Sequence, residues 1–137
     1  MRRLLSADLF ARVGISASLA VSGYLHADLY ARGYRYIHLI GPSFLLQAAA
    51  SFALALLLLA GPWTLRVAAG GLAVGALGAF VLSRTTGLFG FSEIGWEPSP
   101  QAALSVGAEI VTVLLCAASL LMYRTRHNRD ATSKPIA

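Results

Sequence analysis

Long apolar runs separated by short polar clusters make up most of the chain. A helix needs about 20 such residues to cross a hydrocarbon core roughly 30 Å thick. The pattern predicts spans over 9–29, 37–60, 63–82 and 101–123, and so an all-α polytopic membrane protein, with four transmembrane helices in an antiparallel bundle occupying 1–123. The second run carries no Asp, Glu, Lys or Arg. The first is interrupted by Arg12, which follows Asp8 by four positions, the favourable acid-first order for a helical ion pair. Asp28 and Arg32 repeat that spacing, and Gly33 follows as a C-cap. Gly61-Pro62 divides the second run from the third. Ser99-Pro100 offers the fourth a hydroxyl N-cap and a first-turn proline.

Composition removes the soluble alternative. Charged residues are 12% of the chain and hydrophobic residues 57%, against about 25% charged in an ordinary soluble domain. The net charge is +5, from eleven basic and six acidic residues. The basic residues flank apolar runs, which argues for membrane topology and anionic headgroups at the inner face and against nucleic acid. Arg2, Arg3, Arg12, Arg66, Arg124, Arg126, Arg129 and Lys134 fall on one side, and Arg32, Arg35 and Arg84 on the other. Eight against three places both termini in the cytoplasm. With ten of the eleven basic residues Arg, and abundant Ala, Leu and Gly, the expected location is a bacterial plasma membrane. Tyr30, Tyr34, Tyr36, Phe89, Phe91 and Trp96 read as the outer aromatic belt, and Phe10, Trp63 and Tyr123 as the inner one. Residues 124–137 read as a disordered basic cytoplasmic tail. Cys116 is the only cysteine, so no intrachain disulfide forms, and it is expected to be a buried small hydrophobe.

Small residues at Gly71, Gly75 and Ala79 predict either a smooth face for tight packing within the bundle or a homo-oligomer seam. Three polar stripes at helical spacing should face inward: Ser18, Ser22 and His26; Ser43, Gln47 and Ser51; and Ser105, Glu109, Thr112 and Cys116.

Glu109 is the most informative residue. It lies nine positions past Pro100, about 13 Å into the helix, and Gln47 should reach a similar depth. An ionisable group there marks a functional site by default, with structural hydrogen bonding between helices as the competing reading. Arg84 and His26 are its candidate partners. His26, His38, Asp28, Glu93 and Glu97, with Glu109, form a weak set of metal-ligand types without a spacing code. No motif implies a cofactor, and no catalytic or nucleotide-binding motif is present.

One segment carries a resemblance. Ser83-Arg84-Thr85-Thr86-Gly87-Leu88-Phe89-Gly90-Phe91, then Trp96-Glu97-Pro98, then Glu109 in the next helix resembles the S-R-T-x-G-L-P loop, W-E-P and helical Glu of small, uncharacterised four-helix integral membrane proteins of actinobacteria. Phe89 stands where that pattern has Pro. The resemblance implies the fold and an outer-face Arg/Glu arrangement, and singles out Arg84, Gly87, Trp96, Glu97 and Glu109; it implies no reaction. The expected function is that of a non-enzymatic membrane protein, a partner subunit or small-ligand binder acting through its outer face. The alternatives are a small oligomeric transporter or proton-coupled carrier using Glu109, and a membrane redox or metal-binding component.

Overall fold

A computed structural model describes residues 2–132, with side chains for 6–125, 127 and 128. Four α-helices follow in order: α1 (Arg2–Arg32), α2 (Ile40–Leu57), α3 (Thr64–Arg84) and α4 (Gln101–Thr132), with a 3₁₀ turn at Tyr34–Tyr36. The start of α1, the end of α4 and the α2–α3 turn share one end of the bundle, the terminal end. The α1–α2 and α3–α4 connections share the other, the loop end.

Three helices, α2, α3 and α4, are long and apolar enough to cross a membrane; in α4 the apolar part is Gln101–Thr125. The first predicted span does not join them. Its uncharged stretch, 13–27, is 15 residues, about 22 Å of helix. The second span also begins later than expected, because residues 34–39 form the 3₁₀ turn and a bend instead. The expected disordered tail is helical to residue 132; residues 133–137, and with them Lys134, lie outside the described residues, as do the side chains of Arg2, Arg3, Arg126 and Arg129. At 32 residues, α4 is about 48 Å long.

Despite its charges, α1 is the most engaged helix. It packs against both α2 and α4; α4 packs against α3, and of the neighbouring helix pairs α2 and α3 make the loosest contact. Its buried positions Ala11, Ile15, Ser18, Leu19, Ser22, Leu25 and Leu29 recur at the three- and four-residue steps of one helical face. Ile15 and Leu19 meet Ala55, Leu58, Ala69 and Cys116 in the apolar core, so Cys116 is buried as expected.

At the terminal end, polar groups hold the helices together. Arg12 pairs with Asp8 at 2.7 Å and donates to the carbonyls of Leu58 and Gly61 at 3.0 and 2.7 Å, covering acceptors left open at the end of α2. Arg66, one of the basic residues that flank the apolar runs, is only 5% exposed and bridges α3 to Asp8. The Arg12 hydrogen bond, and then Arg66, hold the Asp8 carboxyl below its ordinary value against a smaller opposing effect of burial. Trp63 stacks on Tyr123, with ring centres 5.4 Å apart.

Tight packing falls on other small residues than predicted. Ala69 and Ala73 of α3 are buried, and a Cβ on Gly70 would lie 3.5 Å from Cys116. Gly71, Gly75 and Gly78 have open space where a Cβ would stand. The closest small-residue contact joins α1 to α2, where a Cβ on Gly23 would approach Ser51 to 3.1 Å and the Ala48 carbonyl to 3.3 Å.

Two outcomes follow from this packing. Gly23→Leu should destabilise the detergent-solubilised protein by about 1–3 kcal/mol through overpacking, whereas Gly71→Leu should be neutral or slightly stabilising; thermal unfolding of the two variants compares them. Asp8 stabilises the fold above its unfolded value of 3.8, and this contribution disappears as pH falls through the lower folded value. The stability difference between wild type and Asp8→Asn should therefore be constant near neutral pH and shrink in melts taken below pH 3.8.

Candidate functional site

The loose α2–α3 contact opens into a cavity at the loop end, of about 180 Å³. Four helices and the α3–α4 loop line it. α1 contributes His26 and Leu29; α2 contributes Ile40, Ser43, Phe44 and Gln47; α3 contributes Gly75, Ala76, Ala79, Phe80, Ser83 and Arg84; α4 contributes Ala102, Ser105, Val106 and Glu109. Tyr34, Leu88, Phe91, Glu93 and Pro98 complete the wall from the connections.

Glu109 is 2% exposed. Ser22 of α1 donates to its Oε1 at 3.3 Å and Ser105, one turn earlier in α4, donates to the same oxygen at 3.1 Å. Oε2 makes no hydrogen bond among the described residues. His26 Nε2 lies 3.9 Å from Oε1, beyond hydrogen-bonding reach. One turn deeper, the Ser18 and Thr112 hydroxyls are 2.7 Å apart. The stripes of α1 and α4 thus face each other as expected. The stripe of α2 also turns inward but forms no hydrogen bond with them among the described residues: Ser43 and Gln47 line the cavity, Ser43 donates to its own helix at Leu39, and the buried Ser51 hydroxyl has no partner among the described residues. Gln47 lines the cavity and makes no hydrogen bond among the described residues.

Arg84 is not the partner of Glu109. It pairs with Glu93 at 2.8 Å, donates from Nε to the Gly95 carbonyl at 3.2 Å and from Nη1 to Ser83 at 2.6 Å, and donates from Nη2 to the Glu97 carbonyl. Its guanidinium also lies over the Phe80 ring, 4.1 Å from the centre. It therefore anchors the loop over the cavity. Gly87, at φ 83, adopts the left-handed turn expected of it. Tyr34 donates to the other oxygen of Glu93 and stacks on Phe44, with ring centres 4.7 Å apart. Burial and the Glu93 carboxylate push its phenol well above the ordinary value, so it remains a donor. A Cβ on Gly41 would lie 2.8 Å from the Arg35 carbonyl; only glycine lets the 3₁₀ turn fold this closely onto α2.

The structure thus brings His26, Gln47, Arg84, Glu93 and Glu109 to one cavity. It leaves out Glu97 and Trp96, which belong to the loop's outer surface; Trp96 is 58% exposed and packs on Phe80 at 5.4 Å. His38 is exposed and Asp28 pairs with Arg32 at 2.7 Å. Among the described residues, no three His, Cys, Asp or Glu side chains converge as metal ligands, so the His26, His38, Asp28 and Glu93 set is dispersed. Tyr34 and Phe91, read as belt residues, turn inward; only the glycines around Tyr34 signal that turn in the sequence.

Arg84→Ala should free the loop while leaving the helices intact. Losing charge-assisted hydrogen bonds of about 1.5–3 kcal/mol should speed cleavage after Glu93 by a Glu-specific protease by roughly tenfold or more. Circular dichroism checks that helix content is unchanged.

Comparison with protein-family models, with curated proteins and with solved structures finds no match to this chain.

Proposed function

We propose that this chain is a multi-pass protein of a bacterial plasma membrane, with four crossings and cytoplasmic termini, that acts by holding a small molecule in its loop-end cavity. The cavity carries the reading. A mostly apolar space with a few convergent polar groups is the usual form of a small-molecule site, and Glu109 and Gln47 keep unengaged polar atoms beside it. The three apolar helices support the membrane placement. For α1, support comes from its charges being neutralised within the chain: Arg12 by Asp8 and two carbonyls, and Asp28 by Arg32. The eight-to-three asymmetry of basic residues supports the orientation. The reading is of a binder, acting alone or as a subunit of a larger membrane assembly.

Filling the cavity tests this. Fragments of about one ring in size that raise the melting temperature of the wild-type protein should lose that effect in Ala79→Phe, which projects a ring into the space. If the same fragments stabilise both proteins equally, the cavity is not their site and the reading fails. Impermeant thiol reagents applied to intact cells should label Ser92→Cys, but not Thr125→Cys, in a Cys116→Ser background; the reverse pattern would invert the topology.

A further inference from the structure

We infer that the cavity takes a small lipophilic cation, a primary ammonium on a body about the size of one aromatic ring. This rests on the ligand-binding reading above and names the class of ligand. The deep end of the cavity is rich in acceptors. Glu109 Oε2 is unengaged, and the Gln47 carboxamide beside the same space is unpartnered among the described residues. His26 adds a third acceptor. Its Nδ1 lies 2.9 Å from the Ser22 carbonyl, which only accepts, so Nδ1 carries the proton and the neutral ring leaves its lone pair on Nε2. The 3.9 Å between Nε2 and Glu109 Oε1 is the separation of two facing acceptors without a hydrogen between them.

An ammonium supplies three donors and no acceptor, which matches three acceptor atoms, Glu109 Oε2, His26 Nε2 and the Gln47 carboxamide oxygen. A bound cation also stabilises the charged form of a buried carboxyl whose hydrogen-bond partners, Ser22 and Ser105, are neutral. An anionic ligand fits worse, because it would meet Glu109, and the Arg84 guanidinium is already committed to Glu93, Ser83 and two loop carbonyls. A hydrocarbon would leave the acceptors unpaired. Phe44, Phe80, Leu29 and Val106 supply the apolar wall, and an aromatic face attracts a nearby cation. The volume of about 180 Å³ compares with about 150 Å³ for an apolar protein cavity that holds benzene.

Benzylamine, benzyl alcohol and benzoate share one body and differ in charge, so they test the inference on the purified full-length chain. In a Trp63→Phe background the fluorescence of Trp96, packed on the cavity-lining Phe80, reports binding. Benzylamine should bind saturably and at least about tenfold more tightly than benzyl alcohol, as a charge-assisted contact predicts, with benzoate weakest. Glu109→Gln should remove that preference, and Glu109→Asp should restore part of it. Equal or tighter binding of the alcohol or of benzoate overturns the inference, and so does a preference that survives in Glu109→Gln. If Glu109→Gln does not fold, the ranking of the three ligands on the wild-type protein decides by itself. Alcohol binding that Ala79→Phe blocks, without any ammonium preference, rejects the cation and leaves the ligand-binding reading standing. No binding of any of the three, to wild type or Ala79→Phe, rejects both.

Discussion

Asp8 holds two arginines at once, and much of the bundle depends on that arrangement. A charge carried into apolar surroundings must be paired within the chain. Here one carboxylate serves Arg12 on its own helix and the buried Arg66 on α3. Arg12 in turn covers the carbonyls where α2 ends. Three helices are therefore tied at the terminal end through a single acidic residue. The ties are expensive to break, since a stranded buried guanidinium costs more than the pair contributes.

That tie also explains where the bundle opens. α2 and α3 leave a short turn fixed by Arg12, while α1 and α4 draw together along their facing hydroxyls. The remaining seam, between α2 and α3, is the least packed. Toward the loop end it is filled by the connections, with Tyr34 and Phe91 turned inward and the loop pinned by Arg84. The cavity is what these shapes leave over. Its position beneath an anchored loop, beside the most deeply placed carboxylate, follows from packing as much as from chemistry.

Much of this was legible in the sequence, and the rest was hidden for identifiable reasons. Helix number, and the breaks between helices, followed the apolar runs and the Gly-Pro and Ser-Pro signals to within a few residues, whereas α1 starts seven residues earlier and α4 ends nine residues later than the apolar runs. The facing stripes of α1 and α4 followed from helical spacing, and spacing also drew attention to Glu109, Gln47, Arg84 and His26. Spacing says nothing about which partner lies across the interface. Arg84 was thus offered beside His26 as a partner for Glu109 when Glu93 is nearer, and Arg66 was counted only for its side of the membrane although Asp8 waits 58 positions earlier. Of the two readings of Gly71, Gly75 and Ala79, tight packing within the bundle falls instead on Ala69, Gly70 and Ala73, because a helix turns about 100° per residue and Gly71 and Gly70 then look in different directions. Tyr34 and Phe91 were misread because an aromatic beside a span satisfies a belt or a cavity equally well.

The length of α4 has a mechanical consequence. The helix is unbroken from Gln101 to Thr132, so Glu109 and the basic end of the chain ride on one rigid rod. Trp63 braces that rod through the Tyr123 ring, on which His127 also stacks. A tilt of about 5° about Glu109 would displace the far end, about 35 Å away, by about 3 Å. A small adjustment beside the carboxylate thus becomes, by leverage alone, a much larger excursion on the opposite side of the bundle.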